Sequence, residues 1–165
     1  MKKLIVGVVS LAACGGLAAC GGTTEEPPTR PKAAPRGGLS PTPQEAGRRF
    51  AAEWSNWTSE TILTQNERLA TMAVGRARRE AIAGARDPKT MRASIRYDLA
   101  NRGRVESVHV KEPRGRKRKL LIVVRQSYAK DGRFDRKFDD DFRVISAEVK
   151  QTPKGWGISA WKPVL

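Results

Sequence analysis

The chain has 165 residues, with 32 Lys or Arg against 17 Asp or Glu and a formal net charge of +15. That length supports one hydrophobic core and excludes two, while the charge implies attraction to anionic surfaces without choosing among lipid head groups, cell-wall polymers, acidic proteins and nucleic acid. One histidine, and two cysteines that both fall within the first twenty residues, leave the body of the chain without a disulfide framework or a His/Cys set spaced for a metal.

Lys2-Lys3, an apolar run from Leu4 and the small residues before Cys20 have the form of a secretory signal peptide over residues 1–19. The apolar run is too brief to span a bilayer, so the chain is expected to be exported. Leu17-Ala18-Ala19-Cys20-Gly21 resembles the lipobox of bacterial lipoproteins, in which the cysteine receives a diacylglyceryl group and becomes the new N-terminus. The resemblance implies lipid attachment at Cys20, with the membrane as a partner through that N-terminal diacylglyceryl cysteine. It also implies a location on the extracytoplasmic face of the cell membrane. Leu11-Ala12-Ala13-Cys14-Gly15 repeats the motif and makes Cys14 the alternative, although cleavage there leaves about the minimum apolar core of such a peptide. Each buried methylene adds about 0.8 kcal/mol of membrane affinity, so two or three acyl chains anchor a protein stably.

Residues 20–40 are rich in Pro, Gly, Thr and charge and almost free of apolar side chains, which predicts a disordered tether. About 20 such residues reach roughly 25 Å as a flexible coil and towards 60 Å when prolines extend them. Residues 41–165 form the folded part. Thr42-Pro43-Gln44-Glu45 is a helix start, with a capping hydroxyl, a first-turn proline and a glutamate three residues after the cap. Ala46, Phe50, Trp54 and Trp57 follow at helical spacing, which predicts one aromatic face. A second helix carries Ile62, Leu69 and Ala73, and a third begins near Gly75 with Ala77, Ala81 and Ala85. Asp87-Pro88 opens a fourth with Met91, Ile95 and Leu99 at steps of four, stopped by Asn101 to Gly103. Four strands are then predicted, over Arg104–Lys111, Lys119–Tyr128, Phe142–Gln151 and Trp156–Trp161, the last alternating through Trp156, Ile158 and Ala160. The turn residues between them predict an antiparallel meander, and a helical layer packed on that curved sheet is an α+β fold.

This order of elements and the closing Lys154-Gly155-Trp156-Gly157-Ile158-Ser159-Ala160-Trp161-Lys162-Pro163 segment resemble the α+β cone superfamily of nuclear transport factor 2. Extracytoplasmic relatives of that shape include an assembly component of conjugative type IV secretion channels and proteins associated with mammalian-cell-entry lipid transporters, which use the domain as an interaction module. The resemblance implies a non-enzymatic interaction domain with envelope protein partners. A second reading is a small-molecule or lipid-binding pocket at the open end of the cone, lined by Trp54, Trp57 and Trp161. The superfamily also holds enzymes that work with an acid and a tyrosine in an apolar cavity. Tyr97, Asp98, His109 and Tyr128 are the candidates for such chemistry, and their settings argue against it: Asp98 lies in a charged stretch and His109 alternates with Ser107 and Lys111. No catalytic residue, metal ligand or cofactor is expected.

Arg114, Arg116, Lys117, Arg118 and Lys119 form the densest basic run, at the turn into the second long strand, and are candidates for contact with an anionic partner. Alternation along the strand places Arg116 and Arg118 on one side and Lys117 and Lys119 on the other. No aromatic residues are interleaved to stack bases, so no specific nucleic-acid binding is expected.

Overall fold

The computed structural model describes residues 38–111, 115–131, 133–134 and 141–164. Cys14, Cys20 and Arg114 lie outside the described residues, as do the signal peptide and residues 20–37 of the tether. Among the described residues no helix is long and apolar enough to cross a membrane.

Helix α1 (Pro43–Trp54) starts as its sequence dictates: the Thr42 hydroxyl accepts from the Glu45 N–H at 3.2 Å, and Pro43 occupies the first turn. Its buried face is Ala46, Gly47, Phe50 and Ala51. Ser55, fully buried, ends the helix by donating its hydroxyl proton back to the Ala51 carbonyl at 2.8 Å. The Asn56 side chain then grips the Gly103 backbone, donating to its carbonyl at 2.8 Å and accepting from its N–H at 3.1 Å. That pair of hydrogen bonds between distant segments accompanies the turn of the chain out of the helix, so Trp57 enters strand β1 (Trp57–Thr58) and the aromatic face expected on α1 stops at Trp54.

Helix α2 (Ile62–Met72) buries Ile62, Leu69, Ala70 and Met72, and α3 (Gly75–Gly84) lies close through Ala77 and Ala81. Helix α4 (Pro88–Arg96) departs from expectation: Ile95 is 60% exposed, and Ser94 is the side chain that is buried. Asp98, at φ 40°, turns the chain into strand β2 (Ala100–Val110), so Asn101 to Gly103 begin a strand where they were expected to stop a helix.

Strands β3 (Lys117–Lys130), β5 (Asp141–Thr152) and β6 (Gly155–Pro163) complete the four long strands, and a short β4 (Arg133–Phe134) pairs with β3. The curved sheet has the order β1-β2-β3-β5-β6 and is antiparallel throughout. Its concave face holds Leu120, Ile122 and Val124 of β3 and Ile145, Ala147 and Val149 of β5, all essentially buried under the helices. Gly47 lets α1 approach this face, since a Cβ there would lie 2.6 Å from Leu120 Cδ1. The observed architecture is therefore the α+β cone, with apolar side chains packed between the helices and the sheet.

Two bulges adjust the strands. One extra residue, Glu106, sits between Val105 and Ser107 of β2, so that Val105 and Val108 both pack on the core. In β6 the shift at Ser159 sets Trp161, and not Ala160, opposite the buried Ala147. The outer side of β6 is covered by Ser40, whose backbone exchanges hydrogen bonds of 2.9 and 2.7 Å with Trp156, and by Ala73 in a parallel bridge to Ile158. The fold thus takes in Gly38 to Ser40, within the segment expected to be tether.

Candidate functional site

The basic turn divides between the two faces of the sheet. Lys117 stands opposite Lys150 and Lys119 opposite Glu148, whereas Arg118 stands opposite the core residue Val149. The Arg118 guanidinium lies over the Trp156 ring, 5.0 Å from its centroid, and its Nε donates to the Gly115 carbonyl at 3.2 Å. Arg118 is thereby committed to packing, while the exposed Arg116 contributes its carbonyl to the Gln151 N–H at 2.8 Å. Arg116, Lys117, Arg118 and Lys119 do not form one flat patch.

The three tryptophans expected to line a pocket are also separated. Trp54 and Trp161 meet edge to face at 5.3 Å, and Phe50 meets Trp161 at 5.7 Å, so these rings close the space between α1 and β6. Trp57, across from Asn101, lines a different hollow.

That hollow, about 480 Å³ in volume, is lined by Trp57, Thr61, Arg68, Asp98, Asn101 and Arg102 among others. Most of its polar groups are held in place. Arg68 pairs with Glu53 at 2.6 Å, and Asp98 accepts from the Ser59 hydroxyl at 2.8 Å. Asn101, 5% exposed, donates to Gln126 Oε1 at 3.2 Å, and the buried Gln126 amide donates to the Tyr128 hydroxyl. Among the described residues, Asn101 Oδ1 is the buried side-chain oxygen left without a hydrogen-bond partner. An unmet buried group costs about 1–3 kcal/mol and calls for a reason.

Sequence reasoning missed Asn101 and Gln126. The only signal for them was polarity at inward positions of otherwise apolar strands. Of the other candidates, Tyr97 lies beneath the cations of Arg96 and Lys130, at 5.4 and 5.2 Å. His109 is exposed on the convex face opposite Leu121. Among the described residues no three His, Cys, Asp or Glu side chains gather as a metal site requires.

No protein-family model matches the chain, and neither does any curated protein. Solved structures share its shape. CagV, a VirB8 homolog of the T4SS from Helicobacter pylori strain 26695, superposes with a TM-score of 0.51 at 8% identity, over 73% of this chain and 94% of that one. The VirB8 protein of Agrobacterium tumefaciens gives 0.46 at 7% identity, over 72% and 87%. The intermembrane space region of the chloroplast protein ARC6 gives 0.45 at 11% identity, over 75% and 98%. At these identities the similarity to CagV concerns the fold.

Proposed function

We propose that the chain is a lipid-anchored, non-enzymatic interaction domain on the outer face of the cytoplasmic membrane, serving an envelope assembly of the conjugative type IV secretion kind. The observation that carries this reading is the fold shared with CagV, a VirB8 homolog of a T4SS, across nearly the whole of that domain. The packed cluster between the helices and the concave rows of β3 and β5 supports it, because that part of the domain offers partners its surface. The lipobox-like segment ending at Cys20, with Cys14 as the alternative, supports the anchor.

Crosslinking in living cells, followed by affinity purification of the tagged full-length protein, tests the partner. Recovery of channel or coupling-ATPase subunits is expected, and recovery of no envelope protein overturns the assembly role. Metabolic labelling with a palmitate analogue tests the anchor: label is expected on the native chain and lost in Cys20→Ala. Loss only in Cys14→Ala moves the site, and no label on the native chain removes the anchor.

The hollow beside Trp57, with the unmet Asn101 Oδ1, favours a second reading as a small-molecule pocket. Native mass spectrometry of the protein purified from its own cells separates the two. A bound small mass that disappears in Trp57→Ala supports the pocket, and its absence leaves the surface module.

A further inference from the structure

The helices pack on the sheet face of Leu120 and Ile122. The opposite, convex face carries an order of its own. Arg104, Arg125 and Phe142 are cross-strand neighbours in one row, Ser107, Val123 and Val144 in the next, and His109, Leu121 and Ser146 in a third. Phe142, at the end of the first row, and Val164, whose N–H bonds to the Val144 carbonyl at 2.7 Å at the end of the middle row, are each 52% exposed. Lys119 and Lys162 stand at the margin of this apolar centre, opposite Glu148 and Ser146 respectively. Among the described residues the acids on the face are Glu106, which bridges Arg104 at 3.8 Å and Arg125 at 3.4 Å, and Glu148, and the basic residues Arg104, Arg125, Lys119 and Lys162 outnumber them.

We propose that this convex face docks on an anionic lipid surface, with Phe142 and Val164 entering the head-group boundary and Arg104, Arg125, Lys119 and Lys162 meeting phosphates. Charge complementarity selects the occupant: a second copy would bring a net charge of +15 against another +15, whereas an anionic bilayer attracts both. Shape selects lipid over an acidic protein. Protein interfaces concentrate affinity where anchors fill pockets, and this face presents outward apolar side chains, a form suited to a surface that yields around them. Apolar burial combined with attraction to anionic lipid is how peripheral proteins hold an interface. The inference rests on the envelope location proposed above for its setting, and it concerns a surface that the anchor itself does not determine.

The test uses the full-length chain carrying Cys14→Ser and Cys20→Ser, so that no acyl chain contributes. An environment-sensitive fluorophore is placed at Phe142→Cys or, as a control on α4, at Ile95→Cys. With vesicles of equal parts phosphatidylglycerol and phosphatidylcholine, the label at 142 is expected to shift to the blue and brighten, while the label at 95 keeps its aqueous spectrum. Pure phosphatidylcholine is expected to abolish the shift. Arg104→Ser with Arg125→Ser is expected to weaken vesicle partition about 10- to 30-fold, from roughly 1 kcal/mol per basic residue. Chain that sediments with vesicles while the label at 142 stays aqueous overturns the proposal, as does a shift at 95 alone or an equal response to both lipids. Failure of the anchor reading shows separately, as missing palmitate label on the native chain.

Discussion

At the scale of single residues, the molecule is most sensitive where backbone and side chain approach without room to spare. Gly103 is such a place. Asn56 holds its backbone through two hydrogen bonds, and a Cβ on Gly103 would overlap the buried Ser55 side chain at the end of α1. Gly103→Ala is therefore expected to cost about 1–3 kcal/mol, as overpacking does, read as a lower urea midpoint with an unchanged slope. An unchanged midpoint would mean that α1 and β2 are free to separate at this point. Asn101 has the opposite character: its side chain is buried with space beside it, and its Oδ1 lacks a partner. Neither residue announces itself in the sequence, where a glycine and an asparagine after a helix read as a stop signal. Pairing with Gln126 of β3 makes Gly103 part of a strand, and Asn56, from 47 residues away, holds its other edge.

The elements themselves were more legible, and the reasons for success and failure are physical. The period-2 pattern of Leu120, Ile122 and Val124, and of Ile145, Ala147 and Val149, names the concave face without any knowledge of neighbours, because a strand with one buried face must alternate. Bulges defeat that reading. One inserted residue reverses the parity of everything beyond it, which is why Ala160 was expected inward and Trp161 takes the position opposite Ala147. Helix α4 failed differently: a helical period identifies an apolar stripe but does not say whether a surface exists to receive it, and Ile95 faces water. Ile95→Ser is expected to change stability by less than about 0.5 kcal/mol, whereas Leu120→Ala, in the fully buried row of β3, is expected to cost about 2–5 kcal/mol. Equal losses in thermal unfolding would show that α4 packs more closely than its exposure indicates.

For the whole molecule, one cluster of buried side chains joins α1, α2 and α3 to β3, β5 and β6, and Trp156 belongs to it while Trp54 and Trp161 pack against it. Unfolding is accordingly expected to be a single cooperative step, with tryptophan fluorescence and far-ultraviolet circular dichroism tracing the same urea transition. Separate transitions would mean that the helical layer leaves the sheet first. Fold class was readable because helices first and strands later, with apolar residues enough for one core, admit few arrangements. The sites were less so, since the basic run from Arg116 to Lys119 is divided by the sheet and the tryptophans by a turn.

The pairing of Ser40 with Trp156 has a mechanical consequence. Tension arriving along the chain from residues ahead of Gly38 bears on the Gly38 N–H, held by the Thr71 hydroxyl, and then on the two backbone hydrogen bonds between Ser40 and β6. These bonds lie at the sheet's outer edge, apart from the rows that hold the core. A pull strong enough to part them strips Ser40 from β6 and from the Arg49 guanidinium of α1 and bares the edge of Trp156, so the domain has a weak link placed where load enters, and what that link uncovers is the Trp156 end of an edge strand.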